Sequence, residues 1–103
     1  TWPDVFQRMP SIFQAVVRGD YEAVRGIVRS DPDAVHAKVE SNGETALHLA
    51  VWYGHIAMAK ALVEAGADVN AVTVVDDTPL AYAFQKEHQE IIDWLVSIGG
   101  QTY

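Results

Sequence analysis

The chain has 103 residues, half of them hydrophobic and a fifth charged: one domain, too apolar for intrinsic disorder, with no run near the roughly 20 apolar residues that cross a bilayer. Fourteen acidic against seven basic side chains give a formal charge of −7 with no basic cluster, so nucleic acid and anionic membranes are poor partners and a basic protein surface is the natural complement. The absence of cysteine removes disulfides, thiolate nucleophiles and sulfur-ligated metal, and fits an intracellular, cytoplasmic setting.

The chain opens on Thr1 rather than Met, without a signal-peptide pattern, which suggests a processed or excised piece of something longer. Residues 1–9 read as an N-terminal extension, with Trp2, Val5 and Phe6 expected to fold back as a lid. Helices are predicted over Ser11–Arg18 and Tyr21–Arg29. The stretch Asp31–Glu44 reads as a loop. Thr45 is a candidate N-cap, because its hydroxyl can accept a free first-turn N–H. Leu47, Ala50 and Val51 then form one apolar face at helical spacing. Gly54 ends that helix, and a second runs over Ile56–Glu64 with Ala59, Leu62 and Val63 inward. Gly66 stops it. The run Ala71-Val-Thr-Val-Val75 is apolar for a hairpin, and pairing with the neighbouring hairpin is the preferred reading. Thr78 and Pro79 open a helix over Pro79–Lys86, since proline's missing N–H costs nothing at the first helical position. The last helix is predicted over Gln89–Ser97.

These elements repeat. A shift of 33 residues superimposes Thr45-Ala-Leu-His-Leu-Ala50 on Thr78-Pro-Leu-Ala-Tyr-Ala83, and also pairs His55 with His88, Leu62 with Leu95 and Gly66 with Gly99. An upstream copy at a shift of 35 pairs Ala15 with Ala50, Val16 with Val51, Gly19 with Gly54 and Val28 with Val63. Its two extra residues fit within Asp31–Glu44. Ala46, Ala50, Ala57, Ala59 and Ala61 are small enough for two short helices to lie close. Such a pair buries its apolar face only by stacking on neighbours.

The second copy carries Gly43-Glu-Thr-Ala-Leu-His-Leu-Ala50, then Gly54-His55, then Leu62-Val63-Glu-Ala-Gly-Ala-Asp-Val-Asn-Ala71. It resembles the ankyrin-repeat family, and the resemblance covers about residues 10–99. Ala46 stands where the family has Pro. In the third copy Ala81 stands for His, and Glu87 and Asp76 each stand for Gly, which makes that copy the softer one. The first copy looks like an N-terminal capping repeat. The implied fold is an all-α ankyrin-repeat solenoid of helix-turn-helix units joined by extended hairpin loops. Its repeats fall at about 10–40, 41–73 and 74–103.

The resemblance implies a protein–protein interaction module with no chemistry of its own. No phosphate loop or nucleophile elbow occurs, and the carboxylates Asp31, Asp33, Asp76 and Asp77 fall in turns. No cofactor is expected, and no metal: His55 and His88 lack two further ligands, and His36 has no visible partner. His48 is implied to bridge backbone groups near the hairpin. Trp52 and Tyr53 close the first helix of the second repeat, at the implied concave groove. As large, stiff aromatics they are the sharpest binding signal, though one ring packing on the inserted loop is the bland alternative. Arg18, Gln85 and Lys86 take matching positions in the other repeats. Ser41, Asn42 and Glu44 form the first hairpin tip, and Val72, Val74, Val75 and Asp77 the second. Leu62, Asp68, Val69 and Asn70 match the pattern around asparagines hydroxylated in some ankyrin repeats. The alternative function is a structural or regulatory segment of a larger multidomain protein, making intramolecular contacts or continuing into further repeats through Trp94, Ile98 and Phe84.

Overall fold

A computed structural model describes residues 8–102; the lid expected from Trp2, Val5 and Phe6 lies outside them. The helices come in consecutive pairs. The first pair is α1 (Ser11–Arg18) and α2 (Tyr21–Ser30). The second is α3 (Ala46–Trp52) and α4 (Ile56–Glu64). The third is α5 (Pro79–Lys86) and α6 (Gln89–Ser97). Among the described residues, the only β-type pairing is an antiparallel bridge between Lys38 and Thr45. The fold is the all-α ankyrin-repeat stack that the sequence predicts, and α2 runs one residue further than expected, to Ser30.

Local chemistry sets the helix starts. Asp20 accepts from Ala23 N at 3.1 Å, Thr45 Oγ1 from His48 N at 3.3 Å and Thr78 Oγ1 from Ala81 N at 3.2 Å. Each cap satisfies a first-turn N–H, an effect of about 1 kcal/mol. Pro79 takes the first position of α5.

Stacking then builds the core. Helix α3 packs on α1 before it and α5 after it, and all of its residues from Ala46 to Val51 are buried. Ala46, Ala50 and Ala59 are buried at the close approaches. Ala57 is exposed and Ala61 half-buried, so those two do not serve the packing role expected of all five. The inserted stretch is more than a loop. Pro32–His36 form a 3-10 helix, and Val35 drops from it into the core. Proline's fixed φ at the first position favours that turn.

His55 and His88 do not meet as the stacking argument anticipates. Each ring packs on the glycine of the preceding repeat. A Cβ on Gly54 would stand 3.1 Å from the His88 ring, and one on Gly19 would stand 3.3 Å from His55. Both glycines also have positive φ, +77° and +73°. His88 Nε2 donates to Trp52 O at 3.2 Å, tying the third pair to the end of α3.

The third repeat fills two such glycine positions otherwise. Asp76 and Glu87 take φ 64° and 56°. The left-handed conformation costs an L-residue about 1–2 kcal/mol, less for Asp, whose short polar side chain tolerates it. Glu87→Gly therefore raises the unfolding free energy by about 0.5–1 kcal/mol, after the entropy glycine adds to the unfolded chain. Gly54→Ala lowers it by about 2 kcal/mol, combining the φ penalty with displacement of His88. Urea titration of both variants checks the opposite signs.

Candidate protein-binding groove

The groove begins at the joint between the second and third repeats. Thr45 N–H donates to His48 Nδ1 at 3.1 Å, which makes Nδ1 an acceptor and puts the imidazole proton on Nε2. Nε2 then donates to Asp77 O at 2.8 Å, so one fully buried ring spans from the cap of α3 to the second hairpin. This is the bridging role that the family resemblance implies. Burial holds the His48 pKa below its ordinary value of 6.5. The bond to Asp77 and the charges of Glu44 and Asp77 pull the other way, and Lys38 adds to the lowering.

Tyr82 packs edge-on against this ring, with centroids 5.0 Å apart. Its other side meets Trp52 edge-on at 5.2 Å, and the Lys86 ammonium lies 4.8 Å from the Trp52 ring centre. Tyr82 O–H donates to Glu44 Oε2. Burial first, then the Glu44 bond and the charges of Glu44 and Asp77, push the Tyr82 pKa far above its usual 10, so the phenol stays a donor. The result is a row from Glu44 through Tyr82 and Trp52 to Lys86.

The hairpins continue the surface. Asn42 Nδ2 donates to Glu44 Oε1 at 3.0 Å, and Asn42 Oδ1 accepts from Glu44 N at 2.9 Å, which fixes the first tip. Thr73 Oγ1 accepts from Val75 N at 3.3 Å and Asp77 N at 3.2 Å, which fixes the second. Val74 N donates to Asn42 O at 2.9 Å, and Lys38 Nζ to Val72 O at 3.3 Å. The valine-rich run thus does meet the neighbouring hairpin through its backbone, while Val74 and Val75 stay 70% and 71% exposed.

The two aromatics singled out from sequence part company. Tyr53 is 45% exposed and stacks on His55 with centroids 6.2 Å apart. Trp52 is half-buried, packed on Tyr82 of the next repeat and not on the inserted loop. Sequence reasoning missed Tyr82. Its signal was present: it replaces Leu49 in the 33-residue register with a side chain that has a polar tip. Ser41 and Gln85 are exposed, Val72 is half-buried, and Asp77 contributes a backbone carbonyl. Arg18 Nη2 donates to Gln14 Oε1 at 3.1 Å along α1. Asn70 lies apart from the row. Its Nδ2 donates to Gly99 O at 3.1 Å and its Oδ1 accepts from Gln101 N at 2.8 Å. Among the described residues no group of three or more His, Asp or Glu is placed to hold a metal ion.

Known proteins agree with this architecture. The family described as ankyrin repeats, in three copies, matches residues 12–102, and the chain belongs to it. A serine/threonine-protein kinase, VIK, of Arabidopsis thaliana is 42% identical over 86 residues, covering 84% of this chain and 19% of the kinase. Ankyrin repeat and SAM domain-containing protein 6 of Mus musculus is 34% identical over 100 residues, covering 96% of this chain and 11% of that protein. The crystal structure of the human ASB11 ankyrin repeat domain superimposes with a TM-score of 0.81 at 31% identity, over 90% of this chain and 41% of that one. The chain thus spans less than a fifth of the length of these two curated relatives. Ankyrin repeats are in general protein-interaction modules and typically non-enzymatic. No helix among the described residues is long and apolar enough to cross a membrane.

The His48 joint makes stability depend on pH. Its folded pKa lies below the unfolded 6.5, so the unfolded chain binds the proton first. The contribution is complete above pH 6.5 and is lost as pH falls below it. Between pH 7.5 and 5.5 the unfolding free energy therefore drops, with this site's slope bounded by about 1.4 kcal/mol per pH unit. Urea titrations at several pH values, with His48→Gln giving a flatter profile, check it.

Proposed function

We propose that this chain is a protein–protein interaction module, without catalysis of its own, that works inside the cell. Its groove takes a partner protein across the row Glu44, Tyr82, Trp52 and Lys86. Tyr53, Arg18 and Gln85 flank that row, and the hairpin tips Ser41, Asn42, Val72, Val74 and Asp77 border it. The observation that carries this reading is the Trp52 ring, supported by Tyr82 on its edge and shared with Lys86 at 4.8 Å. A large aromatic held by its neighbours and still half open offers contact area at low entropy cost, which is the character of a binding hot spot. The repeats at about 10–40, 41–73 and 74–103 supply one helix pair each to the scaffold.

A second reading makes the domain a structural or regulatory segment of a larger multidomain protein, with intramolecular contacts. The length of the relatives favours it, since the matched part is 19% of one and 11% of another. Hydroxylation at Asn70, implied by family resemblance, is separate from either reading; a one-oxygen mass increase on that peptide from native material tests it.

Trp52→Ala also removes packing on Tyr82, so it is the wrong first test. Tyr53→Ala combined with Lys86→Ala removes two exposed side chains and leaves that packing in place. Partners enriched from native extract are identified by mass spectrometry, and their affinity is then measured by calorimetry. The double variant binds at least about tenfold more weakly with unchanged helical circular dichroism. Equal affinity rejects the groove.

A further inference from the structure

One position of the repeat is buried twice and open once. Val16 and Val51 are both 0% exposed, whereas Phe84, 33 residues after Val51, is 51% exposed. The second helices follow suit. Val28 and Val63 are half-buried, and Val96 is 56% exposed. Ala65 is half-buried, and its counterpart Ile98 is exposed. Helix α1 is followed by α3 packed against it, and α3 by α5. Only α5 lacks a follower among the described residues. A repeat that ends a stack in water normally presents polar side chains on its outer face. Here that face carries a phenylalanine, larger than either valine it replaces.

The backbone leaving α6 is already set for a successor. Gly66 N bonds to Val63 O at 3.0 Å and Ala67 N to Leu62 O at 3.0 Å where the second hairpin begins. Gly99 N to Val96 O at 3.2 Å and Gly100 N to Leu95 O at 2.7 Å repeat that turn. Both amide ends of Asn70 then hold Gly99 and Gln101, and Thr78 Oγ1 donates to Gln101 O. The tail is thereby clamped onto the path that residues 66–68 take into the next repeat.

We propose that the open face of α5 and α6, centred on Phe84 with Val96 and Ile98, is a stacking interface for one further ankyrin-type helix pair that continues from the tail at Gln101. It is a second interface, distinct from the Trp52 groove, and does not depend on it. The clamped tail and the register of the two existing interfaces identify the occupant. The matched region is also only 41% of the human ASB11 ankyrin chain. A second copy meeting this one end to end is disfavoured by charge. Residues 74–103 carry Asp76, Asp77, Glu87, Glu90 and Asp93 against Lys86 alone, so two such ends repel each other.

The test fuses a consensus ankyrin helix pair with a polar far face after Gln101, its first residue in the register of Val69. The probe is that fused repeat, and the readout is thermal unfolding followed by circular dichroism. The fusion raises Tm by about 8 °C or more in one cooperative transition. Phe84→Glu leaves the unfused chain within about 2 °C and removes at least half of the fusion's gain. A host with Phe84→Val guards against a simple size mismatch. No gain in either the Phe84 or the Val host overturns the proposal. So does sedimentation showing that the unfused chain pairs with itself and that Phe84→Glu makes it monomeric.

Discussion

No helix pair in this molecule can bury its own apolar side; each is completed by the pair that follows. That constraint shapes the sequence at every level. Helix α3 sits between α1 and α5 with six successive residues buried, so its positions must suit both neighbours and its alanines admit close approach. His88 rests on Gly54 because a Cβ there would meet the ring at 3.1 Å. Stability is then shared between the packing inside each pair and the packing between pairs, and a loss at one joint is felt by the pairs on both sides.

Joints of this kind enclose polar backbone, and the enclosure demands partners. His48 meets the demand at the second joint by accepting from Thr45 N and donating to Asp77 O. Tyr82 lies against that imidazole on one side and against Trp52 on the other. The groove floor is thus the outer layer of the structural joint, not an addition to it. Trp52 and Tyr82 answer to packing as well as to any partner, while Tyr53, Lys86 and the hairpin tips are freer to vary. Ankyrin proteins share the scaffold and differ in such surface positions, so the fold alone does not name a partner.

Much of the fold was legible because its signals are local and repeated. Thr45 and Thr78 cap the helices they precede, Pro79 opens α5, and the 33-residue register aligns them. The boundaries of four helices follow from these signals without correction. The 3-10 turn at Pro32–His36 was not legible, because the insertion has no second copy for comparison and Val35 has no periodic partner. In the groove, the exposure of Trp52 could not be read from its own helix. It is set by Tyr82, 30 positions later, and by Lys86, 34 positions later. Side chains that meet across repeats depend on rotamer and register together, whereas a cap depends on three residues.

The departures from the repeat pattern gather in the third unit, and they have one physical reading. Asp76 and Glu87 hold positive φ where the other repeats place glycine, and Phe84 stands open where they bury valine. Strain of about 1 kcal/mol at a helix end is tolerable in a repeat supported from both sides, because stacking on two neighbours outweighs it. The same strain in a terminal unit with one neighbour takes up a larger share of that unit's stability. The left-handed Glu87 and the uncovered Phe84 lie three residues apart at the end of α5, so a covering helix pair would offset the strain at the place where it is held.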